Sequence, residues 1–153
     1  MAVRFDDIEG LRGQISENFG PFGETRRITQ EMVDTFATLT GDHQWIHVDV
    51  ERARRESPFG GPIVHGFLVL SMIAGLAPGN RVEVEGASMR VNYGADKLRF
   101  LKPVPCGADI HIRTRLADVQ AKASGTLLTG ESEIHVVGAS SPSVVYRHLT
   151  LLA

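Results

Sequence analysis

His65-Gly66-Phe67-Leu68-Val69-Leu70-Ser71-Met72-Ile73-Ala74-Gly75-Leu76-Ala77 is the stretch that decides the fold. Wound at 3.6 residues per turn, its apolar side chains Phe67, Leu68, Val69, Leu70, Met72, Ile73 and Leu76 run all the way round. That predicts a helix without a polar face, buried on every side. Pro78-Gly79-Asn80 is the expected stop. Ser71 and Gly75 interrupt the segment, and it is too short for a bilayer, which needs about 20 apolar residues. The helix is therefore expected at the centre of a folded domain, with no membrane insertion.

Beyond it the period changes to two. Ile110, Ile112, Thr114 and Leu116 alternate with His111, Arg113 and Arg115. Glu131, Glu133 and His135 alternate with Ser132, Ile134 and Val136, and Val144, Tyr146, His148 and Thr150 alternate with Val145, Arg147, Leu149 and Leu151. These read as half-exposed strands with turns near Ala121–Gly125 and Gly138–Pro142. Val84–Tyr93 and Lys97–Leu101 supply two more strands. Upstream, a short helix is expected around Ile8–Gln14, a turn at Gly20-Pro21-Phe22-Gly23 and a short strand over Glu24–Ile28. Thr29 caps a helix carrying Met32, Val33, Phe36, Ala37 and Leu39, and Gly41 ends it. Asp49 caps another over Val50–Glu56, followed by the irregular loop Ser57-Pro58-Phe59-Gly60-Gly61-Pro62. Antiparallel strands around one apolar helix make an α+β architecture.

The 153 residues suit a single domain over 1–153, and 42% apolar with 22% charged residues is an ordinary globular composition. A net charge of −2 gives no electrostatic case for nucleic acid. The basic cluster Arg52, Arg54, Arg55 reads as a solvated helix face or a phosphate contact. The lone cysteine, Cys106, excludes an intrachain disulfide and reads as a small apolar side chain near a turn. With no signal-peptide-like start, the expected location is cytoplasmic.

The densest chemistry lies in Gly41-Asp42-His43-Gln44-Trp45-Ile46-His47-Val48-Asp49. Asp42 and His47, on a short turn after a helix, are placed to converge on one water. Imidazole titrates near neutral pH, so such a pair takes a proton and returns it. Taken alone, Asp42 is a turn residue and His47 a satisfied half-buried histidine. Asp49 is better explained as a cap, and His43 as non-catalytic. A metal held by Asp42, His43, His47 and Asp49 fits no recognised zinc spacing. His65 is expected to cap the central helix or to meet substrate. Ser71 is a substrate candidate unless its hydroxyl bonds back to the helix. Lys97, Arg99 and Lys102 are solvated charges or phosphate contacts. Phe36, Phe67 and Met72 read as core or as the wall of a substrate tunnel.

Three segments in order resemble the MaoC-like, R-specific enoyl-CoA hydratase family of the hot-dog fold, and within it the single-domain branch similar to nodulation protein N. They are Phe36-Ala37-Thr38-Leu39-Thr40-Gly41-Asp42 with Ile46-His47 and Ala53; Gly61-Pro62-Ile63-Val64-His65-Gly66-Phe67; and Asn92-Tyr93-Gly94-Ala95-Asp96-Lys97-Leu98-Arg99-Phe100 with Pro103-Val104. The resemblance spans roughly residues 24–120. It implies a curved antiparallel sheet wrapped around a long central helix. It also implies reversible addition of water to a trans-2-enoyl-CoA or carrier-protein thioester, giving the (R)-3-hydroxyacyl product. In it Asp42 and His47 are the catalytic pair, and the Gly66 N–H, at the positive end of the buried helix, is the oxyanion donor. Gln44, Trp45, His65 and Ser71 are the expected substrate-binding residues. No metal or redox cofactor is implied, and a homodimer is. One departure stands out: the family motif has Asn-Pro where this chain has Gln44-Trp45, which bears on substrate shape more than on reaction type. Two other readings stay open, an acyl-thioester hydrolase and a non-catalytic acyl-CoA binding module.

Overall fold

The computed structural model describes residues 2–78 and 82–153. In chain order the elements are β1 (Val3–Arg4), α1 (Ile8–Arg12), β2 (Arg26–Arg27), α2 (Gln30–Thr40), α3 (Trp45–Val48), α4 (Val50–Glu56), α5 (Gly66–Ser71), α6 (Ile73–Leu76), β3 (Val84–Glu85), β4 (Arg90–Phe100), β5 (Asp109–Lys122), β6 (Gly125–Val136) and β7 (Val144–Leu152). Five strands form one antiparallel sheet in the order β2-β5-β6-β7-β4, and β1 pairs with β3 in parallel. Local chemistry explains the boundaries near the site. The Thr29 hydroxyl accepts from Met32 N–H at the start of α2, and Gly41 ends it in the left-handed region, at φ 81°. The Asp49 carboxylate accepts from Arg52 N–H to start α4.

One face of the sheet carries Ile110, Ile112, Ile134 and Val144 into a core with Val33 of α2, Leu68 and Val69 of α5 and Leu76 of α6. A second core, built on Leu11, Val119, Leu128 and Leu152, lies under α1. The opposite face of the sheet is not open to water as alternating strands would suggest. Residues 16–23 run along the edge of β5 in line with β2, with Gly20 and Gly23 donating backbone hydrogen bonds to Thr114 and Ile112, and their aromatic side chains reach over that face. The Phe22 ring stacks on His111, and Phe19 lies against Arg113 and Arg115. Beneath this cover Arg113 bridges Glu133, and Arg115 and Arg147 share Glu131.

Three expectations need correction. The helix over 65–77 is two pieces broken at Met72, whose N–H is shared between the carbonyls of Leu68 and Val69 at 3.3 and 3.2 Å. This tightening follows a serine whose hydroxyl bonds back to Phe67 O, a combination that bends helices. Nor is the helix buried all round: Phe67 is 64% exposed, because the sheet covers only one side of it. Finally, the strands expected over Val84–Tyr93 and Lys97–Leu101 are instead the short β3 and one continuous β4. Two register irregularities, between Asn92 and Gly94 and between Ala95 and Lys97, let β4 stay paired with β7 throughout. Of the expected stop, Gly79 and Asn80 lie outside the described residues.

Candidate active site

The loop after α2 and the segment before α5 meet at two histidines. Ile63 N–H donates to Ile46 O at 3.0 Å, and Val64 N–H donates to Val104 O at 2.8 Å. These bonds fix the approach to α5 against α3 and against the stretch before β5. His47 and His65 thereby stack, with ring centroids 3.9 Å apart and planes 26° from parallel. Both are buried, at 7% and 2% exposure.

Each imidazole is oriented by a backbone carbonyl. His47 Nδ1 lies 2.6 Å from Ile63 O. A carbonyl only accepts, so Nδ1 carries the hydrogen and Nε2 keeps a lone pair. Burial pushes the His47 pKa below its usual 6.5; the nearby His65 pushes the same way, while the Ile63 carbonyl and Asp42 act against them. His47 is therefore a neutral base at neutral pH. His65 Nε2 donates to Asp42 O at 2.9 Å, which leaves His65 Nδ1 as a buried acceptor without a partner. Asp42 itself is half exposed, and its carboxylate accepts from Gln44 N–H in a tight turn. One carboxylate oxygen of Asp42 and one nitrogen of each histidine fall within 4.8 Å of one another. That spacing leaves room for one water, or for one cation with this donor set.

His47 and Gly66 line a common cavity of about 230 Å³, walled by Val69, Phe100, Val104 and Val144, with Lys102 also in its lining. Gly66 opens α5, so its N–H lies among those without an acceptor inside the helix. The absence of a side chain there has a packing reason: a Cβ would stand 2.9 Å from two ring carbons of Phe100.

The other expected residues are placed less centrally. His65 occupies the cap position of α5 but makes no capping bond; it positions Asp42 instead. Gln44 is exposed, and Trp45 lies under the Arg52 guanidinium, 4.3 Å from its ring centre. The Ser71 hydroxyl is spent on Phe67 O at 2.7 Å. His43 is exposed and Asp49 caps α4. Gln30 is a residue the sequence reading did not single out. Its amide nitrogen donates to His47 O at 2.7 Å and to Asp34 Oδ1 at 2.9 Å, bracing the segment that carries His47.

The MaoC-like domain family matches residues 20–137. The chain belongs to the MaoC-like dehydratase family. This MaoC-like dehydratase is 38% identical over 142 residues to 3-hydroxyacyl-thioester dehydratase Z of Mycobacterium tuberculosis (strain H37Rv), covering 92% of each chain. It is 38% identical over 129 residues to nodulation protein N of Rhizobium meliloti, covering 83% of this chain and 76% of that one. Among solved structures it resembles the monoamine oxidase regulatory protein from Archaeoglobus fulgius, with TM-score 0.77, 27% identity and coverage of 99% and 97% of the two chains. It also shares the fold of the (R)-hydratase from A. caviae involved in PHA biosynthesis, with TM-score 0.71, 24% identity and coverage of 90% and 98%. The fold is the hot-dog fold, and the enzyme is a hydro-lyase.

Proposed function

We propose that the enzyme catalyses reversible hydration of a trans-2-enoyl-CoA, or the matching carrier-protein thioester, to the (R)-3-hydroxyacyl product. One observation carries this reading: an acceptor carboxylate and a buried, neutral, correctly tautomerised imidazole converge within 4.8 Å beside the first turn of α5. A water held there gives one hydrogen to Asp42 and one to His47 Nε2, and its oxygen lone pair faces the β-carbon. As the C–O bond forms, His47 takes the proton and the C=C electron pair moves toward the thioester carbonyl. The Gly66 N–H and the positive end of α5 meet the oxygen charge that develops. His47, its imidazolium steadied by Ile63 O and Asp42, returns the proton to the α-carbon on the same face, so addition is syn. His65 holds Asp42 in place through its backbone. No metal or redox partner is needed for any step. The reading includes one domain, a homodimer and a cytoplasmic location; no helix among the described residues is long and apolar enough to cross a membrane.

The test is loss of the conjugated enoyl-thioester absorbance with crotonyl-CoA. Asp42→Asn and His47→Gln should each lower turnover about 10²–10⁴-fold with the fold intact by circular dichroism. Near-wild-type rates in either variant would remove the mechanism. Free thiol released from a saturated acyl-CoA would favour a hydrolase instead.

A further inference from the structure

A second cavity, of about 390 Å³, adjoins the one that holds His47, and Phe59 lines both. Phe59 is 47% exposed. Beside it Gly60 (φ 79°) and Gly61 have open space where a Cβ would stand. The walls of the second cavity are neutral but not apolar. Gln30, which braces His47 by its amide nitrogen, has its oxygen buried without a donor. Both atoms facing the nitrogen are acceptors, so the amide cannot be turned the other way. Burial pushes the Cys106 thiol up to about 11, so it stays an uncharged S–H at neutral pH. Among the described lining residues Arg54 is the one charged group. It belongs to α4, whose sequence Val-Glu-Arg-Ala-Arg-Arg-Glu carries three guanidiniums against two carboxylates. Arg54's partner, Glu51, is a mobile-length side chain in an exposed i,i+3 pair, a contact that a stronger anion displaces readily. The cavity beneath Phe19 differs: its carboxylates Glu131 and Glu133 are already bridged to arginines.

We propose that this second cavity, with Arg54 at its rim, takes the phosphate-bearing pantetheine arm of the thioester while the acyl end occupies the cavity of His47. The proposal rests on the hydratase reading and names where that substrate's carrier lies. The arm's chemistry matches the walls. It is a neutral chain, suited to a trough walled by Phe59, Pro62, Pro105 and the uncharged Cys106 thiol, and it ends in a phosphate, suited to a guanidinium. Its thioester end must reach His47, and the shared wall at Phe59 is where the two cavities meet.

The experiment compares KM for crotonyl-CoA, crotonyl-phosphopantetheine and crotonyl-pantetheine in the wild type and in Arg54→Ala. The ratio of KM for a phosphate-bearing substrate to KM for the pantetheine thioester should rise about tenfold, the size of one charge-assisted contact. A rise with both phosphate-bearing substrates assigns Arg54 to the phosphate on the arm; a rise with coenzyme A alone assigns it to the nucleotide phosphates, and either supports the site. An unchanged ratio, or one that moves with Lys102→Ala and not with Arg54→Ala, overturns it. Calorimetric binding of coenzyme A separates this from the hydratase reading. Binding weakened about tenfold by Arg54→Ala supports the site even if no enoyl thioester is turned over. Wild-type protein that fails to bind coenzyme A overturns it.

Discussion

His47 is useful because burial and the neighbouring His65 hold it short of its ordinary proton affinity, against the opposing pull of the Ile63 carbonyl and Asp42. Burial among apolar side chains lowers its pKa below 6.5, and the Ile63 carbonyl fixes which nitrogen is bare. The sign follows directly: the bare nitrogen exists above the lowered pKa and is lost below it. A profile of kcat/KM should therefore be flat through neutral pH, with its acid limb below 6.5; a limb above that value would show that another group sets the rate. His65→Gln should reduce turnover by loosening Asp42 while leaving KM nearly unchanged, measured with the same crotonyl-CoA assay. Asp42 and His47 were readable because their spacing is local. The pairing with His65 was not, since it depends on Ile63 bonding to Ile46 across the 57–62 loop. A clue was present all the same: histidine is a poor helix cap, so a buried one at a cap position calls for some other partner. Gln30 gave no such clue, as an amide at the start of a helix looks like any solvated residue.

At the scale of elements, α5 and β4 constrain each other through one contact. Gly66→Ala forces its new methyl into the Phe100 ring, and denaturant unfolding should show a loss of about 1–2 kcal/mol. The same change made in a Phe100→Ala background should cost far less, a coupling that a double-mutant cycle reads directly. Period-two alternation placed β5, β6 and β7 well, and it is plainest in β5, where Ile110, Ile112 and Thr114 are buried and His111 and Arg113 between them are not. It failed along β4, whose residues are nearly all exposed and so imprint no pattern. The break at Met72 was equally invisible: every residue from Phe67 to Leu76 is acceptable in a helix, and the tightening comes from a shared carbonyl geometry that composition does not encode.

At the scale of the molecule, β4 ends the sheet with one side unpaired among the described residues, and Val91, Tyr93, Phe100 and Leu101 are exposed along or beside it. A homodimer through this edge predicts a sedimentation mass twice the 16.7 kDa chain, and Asn92→Pro, at a position whose N–H faces away from β7, should shift it toward one chain by removing a donor. Three histidines, His47, His111 and His148, are held below their ordinary pKa chiefly by burial. Each takes a proton more readily when unfolded, so the denaturation midpoint should fall as pH drops below 6.5; a midpoint that rises over that interval would contradict the burial. Chelator treatment should leave the hydration rate unchanged.

The strip along the edge of β5 sets a timetable for synthesis. Ser16 is bound by Arg115, 99 positions further along. A ribosome adding about 5–20 residues each second leaves that early stretch without its resting place for roughly 5–20 s. Until then Phe19 and Phe22 travel uncovered, which makes the nascent chain, rather than the finished enzyme, the form most in need of a chaperone.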